Sequence, residues 1–269
     1  MFNGSLSDML TPLCGVPQGS CLGPLLYFIF VNDLPHVLKS ACIEIYVDDT
    51  TMYVSAENVV CINKLLQDEL LLVSNWVTEN KLKLNVVKTK SIIMGSRYML
   101  RSNPEISLVL HGAAIEQVRK TKLLGVIIDE TLSWSAHINK IVSKMSSNIS
   151  VIRRGAQLLT ASTVKLALQS LVLSSLDYCP TIWSGAAKQD LDKLQLTQNR
   201  AACLALRCSG RSSVEGMHTA LSWIKVDQRL TCSLVTFLFN TWHIGKTGYY
   251  GQWIVENILA FVGEHFNRQ

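Results

Sequence analysis

Two β-rich runs, Cys42-Ile43-Glu44-Ile45-Tyr46-Val47 and Thr50-Thr51-Met52-Tyr53-Val54, meet at Asp48-Asp49. Their β-branched and aromatic residues on both sides of a short polar break predict a hairpin that carries two carboxylates at its turn. Like charges held that close raise each other's pKa, a cost that a divalent cation removes. A hard cation such as Mg²⁺ takes one or two protein carboxylates together with phosphate oxygens. The pair therefore suits half of a two-metal phosphoryl-transfer site, and equally a plain Asp turn; the dipeptide alone does not choose between them.

Upstream lies Gly15-Val16-Pro17-Gln18-Gly19-Ser20-Cys21-Leu22-Gly23-Pro24-Leu25, with three glycines and two prolines in eleven residues. Such a backbone can approach a ligand closely. A simple strand-to-helix turn would explain the glycines and prolines but has no need of Gln18, whose side chain can read or orient a sugar or base. From Leu25 to Val31 the chain is uniformly apolar, with Pro24 near the start and Pro35 beyond the end. That arrangement predicts a buried helix of about three turns.

Further along, Val59, Ile62, Leu65, Leu66, Leu70, Val73 and Trp76 recur at helical spacing behind Asn58, a suitable N-cap. Short strands are expected over 91–94, 106–111, 114–118 and 123–128, with a hairpin at His111-Gly112. After Trp134 the pattern becomes helical, over 134–153, 161–177, 188–208, 214–222 and 226–242. The boundary between a mixed α/β part and an all-helical part is expected near residue 130. The last twenty residues fit no pattern.

Composition narrows the function classes. A chain that is 48% hydrophobic and 17% charged is ordinary for a folded protein and too apolar for a disordered one. The net charge of +5 is a mild basic bias, but it is unevenly spread. Nine cations (Lys81, Lys83, Lys88, Lys90, Arg97, Arg101, Arg119, Lys120, Lys122) stand against two acids, Glu105 and Glu116, between 81 and 122. This is a solvated face or a phosphate-facing groove. Eight cysteines without a CxxC pair argue against zinc and for free thiols in a reducing compartment. No signal peptide or membrane span is apparent, so an intracellular protein, nuclear or cytoplasmic, is expected. His137, His111 and His218 are isolated, and Cys203 and Cys208 are expected to pack in a helical core. Asp177-Tyr178-Cys179 needs no more than a helix-end carboxylate with packing neighbours.

The segments GVPQGSCLGPLL and YVDD together resemble motifs B and C of reverse transcriptases from non-LTR (LINE-type) retrotransposons. The stretch Lys81 to Lys90 is similar to motif D of that family. Leu123 to Asp129, followed by Leu132-Ser133-Trp134 and His137-Ile138, resembles its primer-grip hairpin and the start of its thumb. Ser175 to Cys179 with Trp183, and Leu194-Gln195 through Gln198-Asn199-Arg200-Ala201-Ala202, are similar to its helical downstream region.

The resemblance implies roles position by position. Asp48 and Asp49 would be the motif C carboxylates that bind catalytic metal, Mg²⁺ with Mn²⁺ as the alternative. Pro17, Gln18, Gly19, Ser20 and Tyr46 would lie against nucleotide or template. Lys88 would protonate the pyrophosphate leaving group or neutralise its charge. Leu124, Gly125 and Val126 would form the primer grip. The cations would contact phosphates of an RNA template and DNA primer without base specificity. Deoxynucleoside triphosphates would be the substrates, with no membrane partner. Val47 replaces the commoner alanine of YADD, a swap expected to be tolerable.

The family also needs a motif A Asp well upstream of GVPQGS. Before Gly15 the only acid is Asp8, in surroundings that resemble the loop preceding motif B. A truncated product is thus expected, inactive alone and without an endonuclease domain, with the missing N-terminal part of the element's polyprotein as a candidate partner. The expected fold is α+β: a partial palm over 1–95, a primer-grip region over 96–130, a helical thumb and downstream region over 131–245, and an unassigned tail over 246–269. The alternatives are a non-catalytic nucleic-acid-binding remnant and, more distantly, another palm polymerase such as an intron maturase or viral RNA polymerase.

Overall fold

A computed structural model of the chain describes residues 19–208 and 212–244. It divides into two compact units, one up to Arg119 and one from Lys120. The expectations for Asp8, Gly15 to Gln18 and the 246–269 tail lie outside the described residues.

In the first unit, α1 (Gly23–Val31) and α2 (Leu34–Val37) precede a hairpin of β1 (Cys42–Tyr46) and β2 (Asp49–Tyr53). Pro35 does not close a single long helix as expected. It sits in the first turn of α2, where its missing N–H leaves no helical bond unmade. Nor is α1 buried as expected. It is apolar throughout, yet Leu25, Leu26, Phe28, Ile29 and Phe30 are exposed and only Gly23 and Val31 are buried. The reason is one-sided packing: Tyr27 and Val31 join a core with Leu34, Val73, Trp76 and Val77.

The helix α3 (Val59–Glu79) is the spine of this unit. Asn58 caps it as expected, its side chain accepting from the Cys61 N–H at 2.8 Å. One stripe, Val73, Trp76 and Val77, packs on α1, α2 and the inward residues Ile43, Ile45 and Met52 of the hairpin. A second stripe, Val59, Ile62, Leu66 and Leu70, packs on Ile106, Leu108, Leu110 and Ile115.

The expected strands between 91 and 118 shrink to short pieces: β3 (Lys90–Ser91), β4 (Val109–Leu110), β5 (Ala113–Ala114) and β6 (Glu116–Gln117). Alternate burial of Ile106, Leu108 and Leu110 follows the expected period of two. The partners are what differ. Side chains take the place of a neighbouring strand: Asn63 and Gln67 of α3 accept from the amides of Ser107 and Val109 at 2.8 Å, and Gln117 accepts from Ile106. β4 and β5 turn at His111-Gly112, both with positive φ, the hairpin expected there.

The second unit opens with β7 (Lys120–Leu123) and β8 (Val126–Asp129), a hairpin whose turn at Leu124-Gly125 falls inside the strand expected over 123–128. Helices follow: α4 (Ser135–Gly155), α5 (Ala161–Leu171), α6 (Pro180–Trp183), α7 (Lys188–Leu206), α8 (Val214–Leu221) and α9 (Val226–Ile244). The helix expected over 161–177 stops at Leu171, and a 3₁₀ turn over Leu173–Leu176 replaces its last part. Ile138, Met145, Leu168, Leu176, Trp183 and Leu194 form the centre of the core. Each such fully buried apolar side chain contributes about 1.5–3 kcal/mol. The whole is mixed helix and small sheets, in keeping with an α+β class. Among the described residues no helix is long and apolar enough to cross a membrane.

Candidate active site

The register of the first hairpin sets the geometry of its carboxylates. Tyr46 pairs with Asp49, which leaves Val47 and Asp48 as the two turn residues. Asp48 is thus on the turn, whereas Asp49 is the first residue of β2. Paired residues point to the same face, so Tyr46 and Asp49 share the solvent side while Ile43, Ile45 and Met52 face the core. Tyr46, Asp48 and Asp49 are all exposed. Val47 has φ of +56°, a backbone region that favours glycine and that costs a β-branched residue about 1–3 kcal/mol. The swap expected to be tolerable therefore occupies a strained seat. Beside it, the Tyr27 phenol of α1 is pushed up, first by burial and then by the charge of Asp48.

What fixes the hairpin was not legible in the sequence. Glu69 of α3 is 3% exposed, and its carboxylate accepts from the backbone amides of Lys39 (3.1 Å) and Ser40 (2.7 Å), just before β1. A buried carboxylate is tolerable only with such charge-assisted bonds.

Of the expected nucleotide contacts, Pro17 and Gln18 lie outside the described residues. Gly19 has φ of +83° with open space around it, so the backbone, not crowding, calls for glycine. Ser20 accepts from Gly23 N–H at 3.3 Å in the turn before α1. Lys88 stands exposed on a turn capped by Asn85, whose side chain accepts its N–H at 3.1 Å. Among the other cations, Lys90 pairs with Glu116 and Arg119 donates to Asn103, while Lys81, Lys83, Arg97 and Arg101 are exposed. Lys120 and Lys122 belong to β7, in the second unit.

Two adjacent carboxylates suit one hard divalent cation in number and chemistry. Among the described residues no three His, Cys, Asp or Glu side chains gather as a metal-binding group.

In the second unit, Leu124 and Gly125 have φ of 44° and 91° and close a two-residue turn between Leu123 and Val126. Tyr178 lies over this turn and donates its hydroxyl to the Leu124 carbonyl. Val126 is buried, and the next amide, Ile127, donates to Nδ1 of the buried His137 at 3.2 Å.

The Leu132-Ser133-Trp134 segment is a helix start. Asp129 accepts from the amides and hydroxyls of Thr131 and Ser133, which hold its carboxyl below the usual range against the opposing effect of burial, the largest single influence. Ser135 then donates to the buried Asp190 of α7.

The glutamines of α7 serve docking. Gln195 accepts from Val226 N–H at 2.8 Å, the first residue of α9, and Gln198 donates to the Ile224 carbonyl. Cys203 and Cys208 both point at Met217 Sδ at 3.5 Å, the packing role expected.

Residues 1–128 match the family model described as reverse transcriptase (RNA-dependent DNA polymerase). This part of the chain belongs to the reverse transcriptase family. Curated relatives extend the likeness well beyond it. The RNA-directed DNA polymerase from mobile element jockey of Drosophila melanogaster is 28% identical over 210 residues, 73% of this chain and 22% of that protein. The probable RNA-directed DNA polymerase from transposon BS of the same species is 26% identical over 232 residues, 81% of this chain and 25% of the relative. The Pol polyprotein from type-1 retrotransposable element R1 of Nasonia vitripennis is 24% identical over 225 residues, 79% of this chain and 66% of the relative. The chain spans about a quarter of the length of the transposon BS relative. No solved structure matches it.

The reverse transcriptase segment holds the Asp48-Asp49 hairpin, α3 and Lys88, and it ends one residue before the end of β8. The aligned lengths exceed it, so part of the helical region is shared with these non-LTR retrotransposon relatives as well.

Proposed function

We propose that this chain carries the catalytic hairpin of an RNA-directed DNA polymerase, which adds deoxynucleotides to a primer 3′ end on an RNA template. The observation that carries the proposal is the adjacent, solvent-facing Asp48 and Asp49 within a segment that matches the reverse transcriptase family. Asp48 and Asp49 are the residues that would hold Mg²⁺ or Mn²⁺, which when bound offsets the negative charge of the reacting phosphates. Tyr46 shares Asp49's face and offers a flat ring to the nucleotide sugar. Pro17, Gln18, Gly19 and Ser20 would line the nucleotide and template. Lys88 would give a proton or a positive charge to departing pyrophosphate. The exposed cations Lys81, Lys83, Arg97 and Arg101 would hold template–primer phosphates without reading sequence.

In this reading residues 1–95 are part of a palm, 96–130 carry the primer grip with Leu124, Gly125 and Val126, and 131–245 form the thumb and downstream region. Because no third metal-ligating side chain joins the pair among the described residues, a further carboxylate must come from elsewhere before both metals can be held. The chain by itself is then expected to bind template–primer without extending it.

The test is primer extension on an RNA template in Mg²⁺ and in Mn²⁺, with Asp48→Asn as control, alongside binding to an RNA–DNA hybrid. Binding without extension above the control is expected. Extension abolished by Asp48→Asn would show that residues outside the described ones complete the site and would overturn the inactivity of the chain alone. Failure to bind the hybrid would overturn the polymerase reading. The alternative, a nucleic-acid-binding remnant, differs in one respect: supplying a segment that carries a further carboxylate would produce no extension.

A further inference from the structure

The β7–β8 turn is held from outside its own hairpin, and the residue that holds it belongs to no motif that the chemistry of the site requires. We infer that Tyr178 is a positioning residue for this turn, a latch that sets the orientation of Leu124 and Gly125 toward the primer strand. The inference rests on the primer-grip reading of residues 124–126 made above.

Four observations converge on it. The Tyr178 hydroxyl donates to the Leu124 carbonyl, in the two-residue turn that joins β7 and β8. Its ring covers Gly125 so closely that a Cβ there would lie 3.1 Å from both ring and hydroxyl. Gly125 is therefore favoured by its φ of +91°, and a Cβ there would also crowd the ring above it. The backbone of Tyr178 is itself anchored: Trp183, fully buried in the helical core, donates its indole N–H to the Tyr178 carbonyl at 3.2 Å. On the preceding residue, Asp177 pairs with Arg229 of α9.

The mechanical consequence follows from those anchors. A two-residue turn with two positive φ values is short and specific in shape, but a two-stranded ribbon alone is marginally stable and free to twist. Tyr178 ties the tip to the same core that fixes α6 and α9, while His137 ties β8 through the Ile127 amide. The ribbon is thus fixed at its tip and along one strand, and Leu124 is left 41% exposed as the side chain the turn presents. Placement of a primer end depends on such tolerances, because small displacements of a reacting end are costly.

The test uses the full chain with Tyr178→Phe, which keeps the ring over Gly125 and removes the donor, and Tyr178→Leu, which removes both. Two readouts are taken: amide hydrogen exchange over residues 120–129, and affinity for an RNA–DNA hybrid with a recessed primer 3′ end compared with single-stranded RNA. Expected is faster exchange at Gly125 and Val126 in Tyr178→Phe with unchanged protection in α4 and α7. Affinity for the recessed hybrid should fall about fivefold, a loss of about 1 kcal/mol at 1.4 kcal/mol per tenfold, while binding to single-stranded RNA stays the same. Tyr178→Leu should show both effects more strongly. Unchanged exchange over the turn in both variants would overturn the latch. Faster exchange with no selective loss for the recessed hybrid would overturn its role in placing the primer. If the wild-type chain binds no hybrid at all, the primer-grip reading itself fails, and that failure is seen without any variant.

Discussion

The Ser40 amide donates to the Glu69 carboxylate at 2.7 Å, joining the approach to the Asp48-Asp49 hairpin to the middle of α3. Lys39 donates to the same carboxylate, so a single buried side chain satisfies two amides that the hairpin's approach would otherwise leave unpaired. Glu69→Ala removes both acceptors and leaves the amides of the exposed residues Lys39 and Ser40 to water. The expected loss is about 2–4 kcal/mol, from two hydrogen bonds to a charged acceptor at roughly 1.5–3 kcal/mol each, partly replaced by water. Glu69→Gln keeps one acceptor oxygen and should cost about half as much. Thermal or urea unfolding measures both; equal stability of Glu69→Ala and wild type would mean that the clamp contributes nothing.

Val47 gives a prediction of opposite sign. Its φ of +56° disfavours a β-branched side chain, and the side chain is half exposed, so it has little packing to lose. Val47→Gly should raise stability by about 0.5–1 kcal/mol, the relief of the left-handed backbone exceeding the extra freedom that glycine gives the unfolded chain. Melting temperatures of the two proteins decide the matter. A lower value for Val47→Gly would show that Val47 makes contacts worth more than its backbone strain.

Much of the molecule was open to reading from the sequence, and the parts that were not share a cause. The Asn58 cap, the α3 stripe, the Asp48-Asp49 hairpin and the His111-Gly112 turn all have local signatures, because cap, period and turn chemistry lie within a few residues. The segment around Ile106 to Leu110 did not read correctly, because its amides are satisfied by Asn63 and Gln67 of a distant helix and not by another strand. Glu69, Tyr178 and Gln195 act through partners far along the chain, and polar residues at such positions look like ordinary solvated ones. Tyr178 did carry a signal, because Ser175 to Cys179 with Trp183 resembles the family's helical downstream region, but nothing in that stretch names the Leu124 carbonyl as its partner.

Stability should fall as the pH drops below neutrality, and His137 and His218 are the reason. Burial first, then Lys140, holds His137 below its ordinary value; burial holds His218 below its own, opposed by the Trp223 carbonyl and helped to a lesser degree by Lys225. Both therefore take up a proton less readily when folded than when unfolded. Their contribution is present above the unfolded value of about 6.5 and is lost as pH falls from there through the depressed folded values. Protonation would also turn Nδ1 of His137 from acceptor to donor, facing the Ile127 N–H. Melting curves from pH 8 to pH 5 should show the decline. In His137→Gln, which can still accept from Ile127 but does not titrate, the decline should be shallower. A pH profile as steep as the wild type's would remove His137 from the account.

Gln195 makes the last prediction, about how α9 is seated. Its Oε1 accepts the Val226 amide at the start of that helix, and its Nε2 donates to Asn199, which in turn lies 2.9 Å from Nε2 of His218. One side chain thus joins α7, α8 and α9. The first amides of a helix have no partner inside it, so a cap supplied from a neighbouring helix both satisfies a donor and fixes where the helix docks. Gln195→Ala should cost about 1–3 kcal/mol, and the loss should be local: hydrogen exchange in α9 should rise to a greater degree than in α4, whose core contacts through Ile138 and Met145 are untouched. Gln195→Glu tests the same point more finely, because it keeps the acceptor for Val226 and loses the donor to Asn199. It should retain most of the protection in α9 while weakening the Asn199 contact. If Gln195→Glu frees α9 as fully as Gln195→Ala does, the bond to Val226 is not what seats the helix, and the Asn199–His218 side of the network must carry it instead.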